Sequence, residues 1–82
     1  LVMTEAGMKK YIGKNVIVVK NLFPYSVKQE ILTGVVRPIT SVVITPRRGG
    51  ENIRKEHTSF YVGDRLIPWN AIKLIYKVEV VE

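Results

Sequence analysis

Short segments rich in Val and Ile, interrupted by Gly and Pro, make up most of this chain from about residue 15 onwards. Branching at Cβ favours strands over helices, so these segments predict a mostly β protein. Residues 15–20 form a nearly continuous apolar run, which is typical of a strand buried on both faces. The segment from 71 to 81 alternates apolar and charged side chains instead, as a half-buried strand does. Its predicted apolar face consists of Ile72, Leu74, Tyr76, Val78 and Val80.

Three further strands are predicted between these two, at residues 28–40, 41–45 and 58–62. Gly34 interrupts the first of the three, and an isolated glycine in a strand indicates a bend or bulge. Pro38 predicts that the same strand ends at an edge or a turn, because proline cannot donate to a ladder.

Residues 46–56 are polar and predict a long connection between the third and fourth strands, with Gly49 and Gly50 at its tip. Before the first strand, residues 4–11 predict a short helix with Thr4 as its N-cap. A flat sheet of five strands would leave one apolar face bare. We therefore predict that the strands close into a small SH3-like barrel.

The length of the chain and its lack of cysteine limit the remaining possibilities. Its 82 residues suit one domain, residues 1–82. The absence of cysteine excludes a disulfide framework and a thiolate metal site. No apolar run approaches the ~18–20 residues of a membrane span, and no segment resembles a signal peptide. We expect a cytoplasmic domain that self-associates, since one core of this size gives only modest stability.

The positive charge is concentrated in one part of the chain. The formal net charge is +6, and residues 1–56 hold ten Lys and Arg against four acids. Clustered positive charge favours a polyanionic partner, nucleic acid before any other. Solubility alone is the competing explanation.

The predicted polar connection carries the first group of candidate binding residues, which are Arg47, Arg48, Arg54 and Lys55. Cations beside a flexible Gly-Gly tip could each neutralise a phosphate, and the guanidinium fork suits phosphate oxygens. The alternative is a solvated hairpin tip that prevents edge aggregation. Glu51 and Glu56 could also pair locally with the arginines.

Aromatic residues form the second group, because single-stranded nucleic acid stacks on exposed rings. Tyr25 lies beside Pro24 in a predicted loop, and Trp69 follows Pro68 near a later strand end. Both are candidate base contacts, although Trp69 could equally close one end of the barrel. Phe60 is predicted to be a core residue.

Catalytic groups are scarce. His57 is the only histidine and Asp64 the only aspartate, so neither a triad nor a histidine metal site has enough members. Gly13-Lys14 lacks the upstream glycine and the hydroxyl of a phosphate-binding loop. We expect no enzyme activity, no metal and no cofactor.

The order of these features resembles the Sm-like family of RNA-binding barrels over residues 4–78. A short helix, a strand, a glycine-bent strand and a variable loop follow one another as in that family. The stretch Ile67-Pro-Trp-Asn-Ala-Ile-Lys-Leu-Ile75 is similar to its second motif, in which an apolar residue precedes Arg-Gly-Asn. On this overlay Asn70 matches the motif asparagine, while Ile72 and Ile75 match apolar positions.

Two departures limit what the resemblance implies. Pro68 and Trp69 stand in place of the Arg-Gly pair, and Thr40-Ser41 lacks the Asp and Asn of the first motif. The family's base-binding pocket is therefore not implied for this chain. PRC-type and other SH3-like barrels share a comparable closing stretch, so those classes stay open.

Together these patterns favour a nucleic-acid-binding, self-assembling barrel without catalytic activity, and the resemblance implies RNA in preference to DNA. The resemblance implies a homo-oligomer, such as a ring in which the fourth and fifth strands of neighbours pair. The alternative is a protein-interaction or assembly module of SH3-like or PRC-barrel type within a larger complex, such as a ribonucleoprotein.

Overall fold

The computed structural model describes residues 3–21 and 29–81, and these residues are mostly in strands, as predicted. A short helix comes first, and a 3-10 helix of six residues precedes the last strand. The elements are α1 (Glu5–Lys9), β1 (Asn15–Asn21), β2 (Gln29–Pro46), β3 (Asn52–Val62), β4 (Arg65–Ile67), the 3-10 helix (Trp69–Leu74) and β5 (Ile75–Val80). Thr4 caps α1, and its Oγ1 accepts a hydrogen bond from the Gly7 backbone N–H at 3.0 Å.

The five strands form one antiparallel sheet in the order β4-β3-β2-β1-β5. The first part of β2 pairs with β1, up to Val35 opposite Asn15, and the rest pairs with β3, from Val36 opposite Val62. The predicted barrel closure is not observed. In residues 3–21 and 29–81, β4 and β5 lie at opposite edges with no ladder between them.

Two glycines meet close to the point where β2 changes partner. Gly34 has a φ of +143°, and a Cβ on it would lie 2.5 Å from the backbone nitrogen of Gly63. Gly63 has a φ of +59°, and a Cβ on it would lie 2.8 Å from the Thr33 carbonyl oxygen. Two backbone segments touch here with no room for a side chain, which explains why glycine stands at both positions. The ladder with β1 runs through Gly34 without a shift of register, so no bulge is observed there, and the bend stays a prediction.

The core is one cluster on the inner face of the sheet, covered by both helices. Alternate residues of β1, β2 and β3 point inward, in agreement with the two-residue period of a strand. The buried apolar residues are Met8, Val16, Val18, Leu32, Val36, Phe60, Val62, Ile67, Ile72 and Ile75. The predicted core position of Phe60 is confirmed.

The predicted second and third strands are one continuous strand, and the predicted polar connection at 46–56 is largely strand as well. Beyond Val36, β2 has no hydrogen-bonded strand on the side away from β3 among the described residues. A proline is tolerated in such an edge segment, where its nitrogen can face outward. Pro38 therefore lies within β2 instead of ending it, and Pro46 is the last residue of the strand.

The predicted last strand begins later than expected. Residues 69–74 form the 3-10 helix, in which the Ala71 N–H donates to the Pro68 carbonyl oxygen at 2.9 Å. Ile72 and Ile75 are both buried, and a spacing of three is that of a 3-10 turn, not of a strand. The predicted apolar face is therefore wrong in part, and Tyr76 is 56% exposed.

Candidate nucleic-acid interface

The β2–β3 hairpin extends beyond the core as a two-stranded ribbon, residues 42–56, in which every residue is exposed except the half-buried Val43. A turn at residues 47–51 closes it. The Arg47 N–H donates to the Glu51 carbonyl oxygen at 3.1 Å, and the Gly50 N–H donates to the Arg47 carbonyl oxygen at 3.2 Å. Gly49 and Gly50 have φ values of +112° and +94°, which a tight turn requires and which glycine adopts without strain.

The four predicted cations lie on this ribbon but do not share one face. Arg47 and Arg48 are exposed in the turn itself. Arg54 and Lys55 are successive residues of β3, so their side chains point to opposite faces of the ribbon. Glu56 pairs with Arg54 (Nη1 to Oε1, 3.1 Å), which partly neutralises that arginine.

Trp69 lies at the base of the ribbon and packs against another ring. Its indole stacks on the His57 imidazole with centroids 3.8 Å apart and planes 9° apart. Its backbone N–H donates to Ser59 Oγ at 3.0 Å, and Ser59 Oγ lies 3.1 Å from Ser41 Oγ. The ring is half-buried, so one part of it remains available to a ligand.

Asn70 is exposed and lines a cavity of about 230 Å³ between α1 and the 3-10 helix. The remaining lining residues are Met3, Thr4, Glu5, Trp69, Ile72 and Lys73. Ile39 of β2 is the ladder partner of Ser59, whose hydroxyl accepts from the Trp69 N–H, and it lies eight residues before Arg47 of the turn. At the rise of an extended strand this separates Trp69 and Asn70 from the arginines of the turn by about 25 Å.

Tyr25, the other predicted aromatic contact, falls in residues 22–28 and lies outside the described residues. The structure thus divides the predicted site into an arginine turn at the tip and a Trp69–Asn70 surface at the base. His57 and Lys55 are two residues apart on β3, so they lie on the same face of the ribbon. That face runs from the Trp69–Asn70 surface to the arginine turn.

Two interactions near the site have no local signal in the sequence. His57 and Trp69 are twelve residues apart, and His57 Nδ1 also lies 3.2 Å from Glu5 Oε1. Arg37 lies over the Tyr61 ring at 5.2 Å from its centroid, opposite it in the β2–β3 ladder. The second contact depends on the register of β2 and β3, and the first on how the two helices pack against β3. Sequence patterns alone fix neither.

Several acids of the described chain are held in ion pairs. Glu30 pairs with Arg65, and Glu79 pairs with Lys77. The hydrogen bond to Glu79, together with the nearby negative charge, raises the pKa of Lys77 above its ordinary value of 10.5. Arg47 and Arg48 form no ion pair with another residue of 3–21 or 29–81. In this respect Arg47 and Arg48 differ from Arg54, which is paired with Glu56.

No group of three or more His, Cys, Asp or Glu side chains that could hold a metal ion is found within the described residues. Among the same residues, no helix is long and apolar enough to span a bilayer. The fold and the site define a small antiparallel β domain with a projecting basic hairpin. No family profile, curated protein or solved structure that was compared with this chain matches it.

Proposed function

We propose that this chain is a nucleic-acid-binding domain of Sm-like type that assembles with copies of itself and prefers single-stranded RNA. The observation that carries the proposal is the exposed pair Arg47 and Arg48 at the tip of the ribbon, without acidic partners among the described residues. Two guanidinium groups on one short turn can contact successive phosphates of a backbone. The half-buried Trp69 ring at the base offers a stacking surface.

The two edges of the sheet support self-assembly. β4 and β5 each have one free edge among the described residues, and an unpaired edge can accept a strand from another subunit. Beside β5 lies a cavity of about 290 Å³ with a largely apolar lining. The lining residues are Met3, Lys10, Tyr11, Ile75, Tyr76, Lys77 and Val78. Leu66 on β4 is exposed and could enter the same cavity of a neighbour.

The nucleic-acid proposal is tested by fluorescence anisotropy with labelled single-stranded RNA at several salt concentrations. Replacing Arg47 and Arg48 with Ala should weaken binding on all sequences alike. It should lower the slope of log affinity against log salt by about 0.7 for each lost phosphate contact. Arg65→Ala is the matched control, since Arg65 is paired with Glu30 and lies on β4, away from the turn.

Single-stranded DNA and duplex DNA are titrated in the same way to test the preference for RNA. No measurable binding to any of the three at low salt would overturn the proposal. An unchanged salt slope in the double variant would remove the turn from the interface. Tighter binding to duplex DNA than to RNA would contradict the preference.

One observation favours the alternative function, a protein-interaction module. Ile31 and Val35 are 64% and 45% exposed on the outer face of β2. Their ladder partners are Val19 and Asn15, so they share that face with a half-buried valine of β1. Exposed apolar residues on a sheet face suit a protein partner better than a phosphate backbone. A stoichiometric protein partner that nuclease treatment does not remove would support this function instead.

A further inference from the structure

One face of the ribbon exposes large aliphatic side chains that nucleic-acid binding does not explain. Val42 and Ile44 are 45% and 59% exposed, and they lie on the same face because they alternate along β2. Arg54 is opposite Ile44 in the ladder, and Glu56 is opposite Val42. We call this surface, Val42, Ile44, Arg54 and Glu56, the 42/44 face.

A ribbon of this kind gains little stability from its own two strands. An isolated two-stranded hairpin is marginally stable in water and needs a further layer to cover its apolar side chains. The 42/44 face has no such layer among the described residues. Burial of Val42 and Ile44 against another surface would remove apolar area from water at a site that the fold itself leaves open.

We propose that a second copy of this chain covers the 42/44 face, so that two ribbons pack against each other with their strands antiparallel. The two-fold axis lies between the ribbons, perpendicular to the strands, at the level midway between residues 42 and 44. This operation places each copy's Val42 over the other's Ile44. It places each copy's Arg54 over the other's Glu56.

Charge complementarity selects this arrangement. Arg54 and Glu56 lie two residues apart on β3, on the same face of the ribbon. When the β3 strands of the two copies run in opposite directions, an arginine therefore meets a glutamate at both ends of the contact. An axis parallel to the strands would instead lay β2 over β3 of the other copy. It would place Ile44 on Arg54 and Val42 on Glu56, which buries charge against aliphatic groups.

The opposite face of the ribbon lacks this self-complementarity. Its ladder pairs are Val43 with Lys55 and Thr45 with Ile53. The same reversal would place two lysines over isoleucines with no acid between them. At its base, that face already packs His57 against Trp69.

The contact is narrow, so we expect it to be smaller than the ~1,600 Å² of a standard interface and the dimer to be concentration-dependent. It uses neither free sheet edge nor the arginine turn. The contact therefore does not depend on the proposed nucleic-acid binding. It could join two oligomers whose subunits are held together through the free edges of β4 and β5.

The test is a charge-swap mixing experiment followed by sedimentation equilibrium and native mass spectrometry. Arg54→Glu gives a face with two acids, and Glu56→Arg gives a face with two bases, so each variant alone should dimerise at least tenfold more weakly than the wild type. Mixed in equal amounts, the two variants should form a heterodimer, which their different masses identify. Assembly through the sheet edges would give no such preference, because both variants have the same edges.

Ile44→Lys should also weaken the dimer, whereas Ile53→Lys, the matched change on the opposite face, should not. Circular dichroism checks that each variant is folded. A heterodimer fraction no greater than random mixing would overturn the proposal, as would equal effects of the two lysine variants. Loss of RNA binding by the arginine turn would leave this result unaffected, so the two proposals fail separately.

Discussion

At the scale of single residues, the contact between Gly34 and Gly63 has the tightest steric requirement. A Cβ on Gly34 would come within 2.6 Å of both the nitrogen and the Cα of Gly63. These are backbone atoms, so they cannot move aside as a flexible side chain would. The φ of +143° at Gly34 adds a backbone conformation that L-residues rarely adopt.

We therefore expect Gly34→Ala to lower the free energy of unfolding by about 2–3 kcal/mol or more, as measured by urea denaturation. Gly13→Ala is the control, because Gly13 also has a positive φ (+81°) but a Cβ there meets nothing within 4 Å. It should cost only about 1 kcal/mol, the strain of the backbone alone. Equal losses in the two variants would show that the contact with Gly63 is not limiting.

The candidate site illustrates what residue patterns alone can show. The sequence identifies a Gly-Gly tip flanked by cations, and the structure places Arg47 and Arg48 in that turn. The pattern does not predict that Arg54 and Lys55 point to opposite faces, because this depends on whether residues 52–56 form a strand or a loop. The contact of His57 with Trp69 is equally hidden, since it is made between distant elements.

At the scale of elements, the predictions succeed where the local signal is strong. The helix, its Thr4 cap and the first strand agree with the structure. The sequence predicts two strands in place of β2 because Pro38 resembles a break, and it predicts a β3 that begins only at residue 58 because residues 52–56 are polar. A ribbon whose two faces both lie outside the core of its own chain need not alternate apolar and polar residues, so periodicity cannot reveal it.

The Thr4 cap gives a prediction for α1. Thr4→Ala removes the oxygen that accepts from the Gly7 N–H, and a helix of five residues has few other means of stabilisation. We expect a loss of about 1 kcal/mol in the free energy of unfolding, measured by denaturation. The loss should appear in global unfolding because Met8 of the same helix is fully buried in the core.

Thr4→Ser is the matched control, since serine keeps the hydroxyl and is an equally good N-cap residue. It should unfold within a few tenths of a kcal/mol of the wild type. A serine variant as unstable as the alanine variant would mean that the methyl group, and not the hydrogen bond, stabilises this end of the helix.

At the scale of the whole molecule, His57 connects three elements that are far apart in the sequence. It lies on β3 at the base of the ribbon, stacks on Trp69 of the 3-10 helix and reaches Glu5 of α1. All three side chains are half-buried. This cluster marks the end of the packed part of β3, because the residues of β3 beyond it, 52–56, are all exposed.

Replacing His57 with Ala should therefore loosen the base of the ribbon. We expect a loss of about 0.5–1.5 kcal/mol from the missing ring contact, measured by denaturation. Trp69 is the only tryptophan of the chain, so its fluorescence emission reports this site alone and should shift to longer wavelength as water reaches the ring.

His57→Phe keeps a stacked ring but not the contact with Glu5, so it should retain most of the wild-type emission and lose less stability than the alanine variant. An unchanged emission maximum in the alanine variant would show that other neighbours hold Trp69 in place. If the phenylalanine variant instead lost as much stability as the alanine variant, the link to Glu5 would be the dominant one.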